Sequence, residues 1–116
     1  MATSGLARIR AAWAALGVDP RTAETLASHW LPGTRESYEA KWTKFAAYCA
    51  QRACAVNGAI SSAVICNFLQ LLVEDEQLAV ATVEGYATAI TSVLKACFPA
   101  WRDEGDLISF YRSGLN

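Results

Sequence analysis

Apolar positions recur at helical spacing along most of this chain. The clearest apolar stripe follows the i, i+4, i+7, i+11 pattern of one helix face. It consists of Tyr38, Trp42, Phe45 and Cys49. No segment alternates apolar and polar positions for long enough to predict a strand. The pattern therefore predicts an all-α fold.

Two helices are predicted before this stripe. The apolar face of the first is formed by Leu6, Ile9, Trp13 and Leu16. Gly17 is predicted to end it. Asp19 is an N-cap and Pro20 a first-turn residue for a second helix that reaches about residue 30. The chain is then expected to break at residues 31–33.

The third helix contains the stripe and has signals at both ends. Thr34 is its predicted N-cap, and Asn57 with Gly58 is its predicted end, because both residues tolerate the left-handed conformation. Ser61 or Ser62 is then expected to cap a fourth helix. The predicted inward face of that helix consists of Ile65, Phe68, Leu69, Leu72 and Val73.

Two further helices complete the pattern. An acidic run at residues 74–76 closes the fourth helix, and Thr82 is predicted to open the fifth, which stops before Pro99. The inward residues of the fifth helix are Val83, Tyr86, Ile90, Val93, Leu94 and Cys97. Asp106 is the predicted cap of a last helix that ends at residues 113–114.

A length of 116 residues indicates one domain. Four helices after residue 31, joined by short connections, predict a compact orthogonal or bundle-like α domain over residues 19–116, preceded by an amphipathic helix over residues 1–18. The apolar face of that first helix either packs on the bundle or docks on a neighbouring protomer. No apolar run is long enough to span a membrane, and no secretion signal is recognisable. We therefore expect an intracellular protein.

No sequence motif predicts chemistry. The four cysteines form no CxxC pair and the chain has one histidine, so we expect reduced cysteines and no metal site. A phosphate-binding glycine loop and the common hydrolase motifs are also missing from the sequence. We expect no catalytic residue, no cofactor and no small-molecule substrate.

One flank of the third helix carries a set of hydroxyl and basic side chains. At about 100° per residue, one group of residues falls together beside the apolar stripe. It consists of Thr34, Ser37, Lys41, Lys44, Tyr48 and Arg52. Such groups suit phosphate oxygens, but an ordinary solvated face with chance charge segregation is the alternative. A net charge of −1 argues against a free-standing, tight nucleic-acid binder.

Four segments in order resemble the core-binding domain of tyrosine recombinases. They are residues 31–49, 64–72, 78–90 and 107–115. The first has a capping threonine, a tyrosine four positions on and an aromatic stripe ending at a cysteine. The third has a threonine, an apolar residue, two polar positions and an aromatic residue. The set covers roughly residues 22–116 and is closest to recombinases of DIRS-type retroelements and to Cre.

The resemblance implies a four- to five-helix, SAM-like orthogonal bundle that forms one jaw of a clamp around duplex DNA. It carries DNA contacts onto two helices. The expected contacts are Thr34, Ser37, Lys41, Lys44 and Arg52 on the third helix, and Thr82 with Thr88, and then Thr91, on the fifth. Ala81, Glu84 and Gly85 depart from the family pattern, in which these positions often carry Lys, Arg or Gln. These departures argue against base-specific contacts from the fifth helix, and Glu84 would repel phosphate if it faced DNA.

The family's catalytic residues lie in a separate C-terminal domain. We therefore expect a fragment or lone domain that binds duplex DNA but cannot cut it. Its expected location is the nucleus in a eukaryote and the cytoplasm in a bacterium. A homo-oligomer that assembles on DNA is an open alternative to a monomer. The alternative function is a domesticated helical protein-interaction domain with little DNA affinity. Its expected surface is an exposed apolar patch such as residues 6–16.

Overall fold

The fold is all-α, as the sequence predicts. A computed structural model describes residues 5–28 and 32–115, with the side chains of residues 7–28 and 36–115. This part of the chain contains six α-helices, a short 3₁₀ turn and no strand. They are α1 (Gly5–Ala15), α2 (Pro20–Ala27), α3 (Pro32–Gln51), α4 (Ser62–Glu74), α5 (Val80–Cys97), the 3₁₀ turn (Glu104–Asp106) and α6 (Leu107–Gly114). The predicted extension of α2 to residue 30 lies outside the described residues.

An aromatic cluster joins α3, α4 and α5. The ring of Phe68 on α4 packs edge-on against Phe45 and Tyr48 of α3, with centroids 5.3 and 5.0 Å away. It packs in the same way against Tyr86 of α5 at 5.9 Å. Each such pair contributes roughly 0.5–1.5 kcal/mol beyond the burial of its area. These contacts fix α3 and α5 as neighbours.

The first helix packs on the core of its own domain. Ile9 is buried in the same cluster as Trp42, and Trp13 packs against it. Leu16, predicted on this face, is instead 69% exposed. It lies at the helix end, where Gly17 takes a φ of 91° and turns the chain away from the core. The predicted stop at Gly17 is confirmed.

Local capping signals predict the starts of α2 and α4 correctly and the starts of α3 and α5 incorrectly. Asp19 and Ser61 are N-caps, as predicted, and accept bonds from the backbone N–H groups two residues on. Thr34 is not a cap, because α3 already begins at Pro32, whose fixed φ suits a first helical position. The start of α5 also precedes Thr82. The N–H of Leu78 bonds to the carbonyl of Leu72 at 3.1 Å, so the chain enters α5 directly after a tight loop.

The third helix ends six residues before the predicted Asn57. The chain turns at Ala53, which has a φ of 53° although it is not glycine. The N–H of Cys54 then donates to the carbonyl of Cys49 at 2.9 Å and satisfies the helix end. Asn57 instead closes a separate turn, where its side chain accepts from the N–H of Ala59.

Asp106 is the N-cap residue of α6, as predicted, but the capping hydrogen bonds come from the side chain of Asp103. Asp106 is left-handed and makes no capping bond. Both carboxylate oxygens of Asp103 accept backbone N–H groups, from Ile108 at 3.0 Å and from Ser109 at 3.2 Å. Partial burial opposes the charge on Asp103, but these bonds outweigh it and hold the pKa of the carboxyl below its ordinary value.

Replacing Asp103→Asn tests this cap. We expect a loss of about 1 kcal/mol in unfolding free energy, because the Asn amide has one acceptor oxygen where the carboxylate uses two. Because the folded-state pKa is lowered, the stabilisation is present above the unfolded pKa of about 4 and is lost as pH falls through the folded value. Urea unfolding between pH 7 and pH 2 measures both effects. Asp106→Asn is the control, and equal losses in the two variants would contradict the assignment.

Candidate nucleic-acid interface

The predicted hydroxyl and basic flank lies along the seam between α3 and α5. The Nζ atoms of Lys41 and Lys44 lie 5.5 and 6.0 Å from the ring centroid of Tyr86 on α5. Gly85 faces the same flank, because a Cβ placed there would lie 3.2 Å from Cε of Lys41. Both lysines are half-buried. The flank is therefore a partly covered edge rather than an open helix face.

Of the two half-buried lysines at this seam, Lys41 is the one whose ammonium group is not paired with a carboxylate among the described residues. Its ammonium donates to the hydroxyl of Ser37, one helical turn earlier. It also lies over the ring of Tyr86, so its stem is held in place. Within the described residues it forms no ion pair with a carboxylate. Ser37 and Lys41 thus present a hydroxyl and a cation side by side.

Lys44 has an acidic partner instead. Its ammonium forms an ion pair with Glu76, which follows α4 in the loop leading to α5. The hydrogen bond to Glu76 raises the pKa of Lys44, although burial opposes the shift. The side chains of Lys44 and Glu76 are 39% and 32% exposed, so the pair is worth about 1 kcal/mol or less. One of the two predicted lysine contacts is therefore neutralised within the domain.

The remaining predicted contacts on α3 lie at its two ends. Thr34 belongs to the first turn of the helix, and its side chain lies outside the described part of the structure. Arg52 follows the last helical residue, and its guanidinium stacks 3.8 Å from the ring centroid of Tyr48. Arg52 is exposed and has no ion pair among the described residues. It extends the basic edge beyond the end of α3.

The predicted contacts on α5 face two directions. Thr82 is exposed in the first turn of α5, about 60° around the helix from Gly85. Thr88 is half-buried and accepts a 3.1 Å hydrogen bond from Arg112 of α6. Thr91 donates back to the carbonyl of Ala87 within its own helix. The structure thus brings Thr82 towards the seam and places Thr88 beside α6.

Glu84 does not add its charge to the lysine side of the seam. It is about 100° around α5 from Gly85, on the side of Thr88. The seam side of α5 is instead lined by small residues, Ala81 and Gly85. The glycine at position 85 therefore leaves space for the stem of Lys41.

Sequence reasoning missed three features around these residues. The Lys44–Glu76 pair joins positions 32 apart, and no local pattern indicates it. The second is a cleft between α5 and α6 lined by basic side chains. The third is apolar exposure on α6, where Leu107 is 45% and Phe110 69% exposed. A helical-wheel projection of α6 indicates this exposure from the sequence, because the apolar residues of α6 cover more than one face of the helix.

Comparisons with protein-family models, with curated proteins and with solved structures found no match in any of the three. Across residues 5–28 and 32–115, no helix is long and apolar enough to cross a membrane. The same residues contain no group of three or more His, Cys, Asp or Glu side chains that could hold a metal ion.

Gly85→Ala tests how firmly Lys41 is held. Gly85 has no positive φ, so alanine gains helix propensity of roughly 0.8–1 kcal/mol. The new methyl group meets only the flexible end of Lys41. We therefore expect a net stabilisation of about 0.5 kcal/mol in urea unfolding. A destabilised variant would show that the lysine cannot move aside.

Proposed function

We propose that this chain is a DNA-binding domain of the tyrosine-recombinase core-binding type, and that it contacts duplex DNA along the α3–α5 seam. The observation that carries the proposal is the pairing of Ser37 with a lysine that has no acidic partner in the described structure. A hydroxyl and an ammonium group at one edge match the donors that fix a protein on a phosphate backbone. The ordered sequence resemblance supports the same surface.

The shape of the seam supports close approach of a phosphate backbone. Gly85 and Ala81 have small side chains, so little bulk projects from the α5 side of the seam. Lys41 lies directly opposite, with its stem against Gly85. Thr82 adds an exposed hydroxyl on the same side. A strand of DNA lying along the seam meets donors from both helices without a carboxylate of α5 between them.

The charge distribution sets the expected strength of binding. With net charge −1, the domain has no long-range attraction for a polyanion. Lys41 and Arg52 are the basic side chains of this edge without an ion pair in the described chain, so one or two phosphate contacts are expected. Each contributes a slope of about −0.9 to log K against log salt concentration. Binding is therefore weak and disappears at physiological salt.

Lys41→Glu is expected to abolish binding to a duplex at low salt, because it places a carboxylate where phosphate would lie. Fluorescence anisotropy of a labelled duplex in about 20 mM salt measures the affinity. Arg21→Glu is the matched control, since it makes the same charge change on α2 at a side chain that is 94% exposed. Equal losses in both variants would reduce the effect to net charge and reject the seam.

Glu76→Gln is expected to strengthen binding, because it releases Lys44 from its ion pair. We expect the affinity to rise several-fold and the salt slope to steepen by about 0.9, the value for one added phosphate contact. Glu74→Gln is the matched control. It removes the same charge from the same helix end, where Glu74 accepts a bond from Gln70 rather than from a lysine.

The fold points to a different surface for the alternative function, a protein-interaction domain. Ile9 and Trp13 pack on the core, so the predicted patch loses two of its apolar side chains, although Leu16 stays exposed. Leu107 and Phe110 lie on one short helix, α6, and are two of the five exposed large apolar side chains of the described residues, so they favour an interaction domain. Light scattering with and without duplex DNA separates the two functions. Self-association without DNA, combined with no binding at low salt, would favour the interaction domain.

A further inference from the structure

A second basic cluster lines a cleft on the α6 side of the domain. The cleft has a volume of about 430 Å³ and lies between α5 and the segment that runs from residue 101 into α6. The cations along it are Lys95 of α5, Arg102 of the connecting loop and Arg112 of α6. Trp101 forms part of its wall and is fixed by a 3.1 Å hydrogen bond from its indole to the carbonyl of Ile60. Trp101 is buried as well, so this part of the wall is held in place.

None of these three cations has an ion pair within the described chain. Arg112 uses one guanidinium nitrogen to donate to Thr88. Arg102 uses one nitrogen for the carbonyls of Pro99 and Trp101, at 2.7 and 2.8 Å. Each guanidinium is thus anchored at one corner while its other N–H groups remain available. Lys95 is exposed on α5 and is free to move towards them.

Two carboxylates share the lining, and their roles differ. Asp103 gives both oxygens to the backbone N–H groups that start α6. Its charge is therefore already satisfied by the helix terminus. Asp106 is exposed and makes no capping bond. The three cations outnumber the two carboxylates, so the cleft keeps a net positive charge. Asp106 is the carboxylate whose charge would repel a bound anion.

We infer that this cleft binds a phosphate group, with Arg112, Arg102 and Lys95 as its donors. Guanidinium groups with two free N–H directions match the oxygens of a tetrahedral anion, and the lysine adds a mobile point charge. The group belongs either to a free phosphate compound or to the backbone of a nucleic acid. The site is separate from the α3–α5 seam, because Thr88 and Arg112 face away from Lys41.

Nuclear magnetic resonance titration with inorganic phosphate tests the site, with sodium chloride of equal ionic strength as the reference. We expect saturable shifts of the backbone amides around Arg112 and Ser109. Lys95→Gln should weaken binding about fivefold, and Arg21→Gln, with the same charge loss on α2, should not. Asp106→Asn should tighten binding. Lys95 is exposed and has no packing role, so that variant is expected to fold.

A short duplex in the same titration distinguishes the source of the phosphate. Shifts of these amides by the duplex, reversed by inorganic phosphate, assign the cleft to a nucleic-acid backbone. Shifts with inorganic phosphate alone assign it to a free phosphate compound. Shifts no larger than those with chloride, or equal weakening in the Lys95 and Arg21 variants, would overturn the site. Lys41→Glu leaves the cleft intact, so failure of DNA binding at the seam is recognised separately.

Discussion

The packing of Phe68 between the aromatic residues of α3 and α5 is the contact on which the rest of the structure depends. Its ring meets Phe45 and Tyr48 on one helix and Tyr86 on the other. Because these contacts hold α3 beside α5, they also bring Lys41 against Gly85 and define the seam. A domain with one small core has few other ways to position two helices, so the surface chemistry follows from this cluster.

The electrostatic properties of the domain depend on individual charged side chains rather than on its net charge. With 10 basic and 11 acidic residues, the chain gains nothing from its total charge in approaching an anion. What matters is which cations lack a partner in the described structure. Lys44 is paired through the loop after α4, whereas Lys41 at the seam and Arg112 in the cleft contact hydroxyl groups. In the described structure, two separate edges therefore retain positive charge without an ion pair.

Sequence patterns worked where the physical cause is local. Periodicity placed Trp42, Phe45 and Cys49 in the core, and all are buried. Asp19 cap chemistry needs only its next two residues, so that start was predictable. Caps failed where a neighbouring contact competes. Asp106 holds the N-cap position of α6, but the capping bonds come from Asp103, five residues before Ile108. Asn57 does not end α3, because the chain already turns at Ala53.

The sequence alone determined the helical class, the inward faces of most helices, and the hydroxyl and basic flank of α3, because periodicity and capping act over a few residues. Only the tertiary structure decided that α1 packs on its own core and that Glu76 neutralises Lys44. It alone placed Thr88 with Arg112 rather than with Lys41. The reason is distance along the chain: these contacts join residues 24 or more positions apart, and no local propensity specifies which of several carboxylates or hydroxyls a cation will reach.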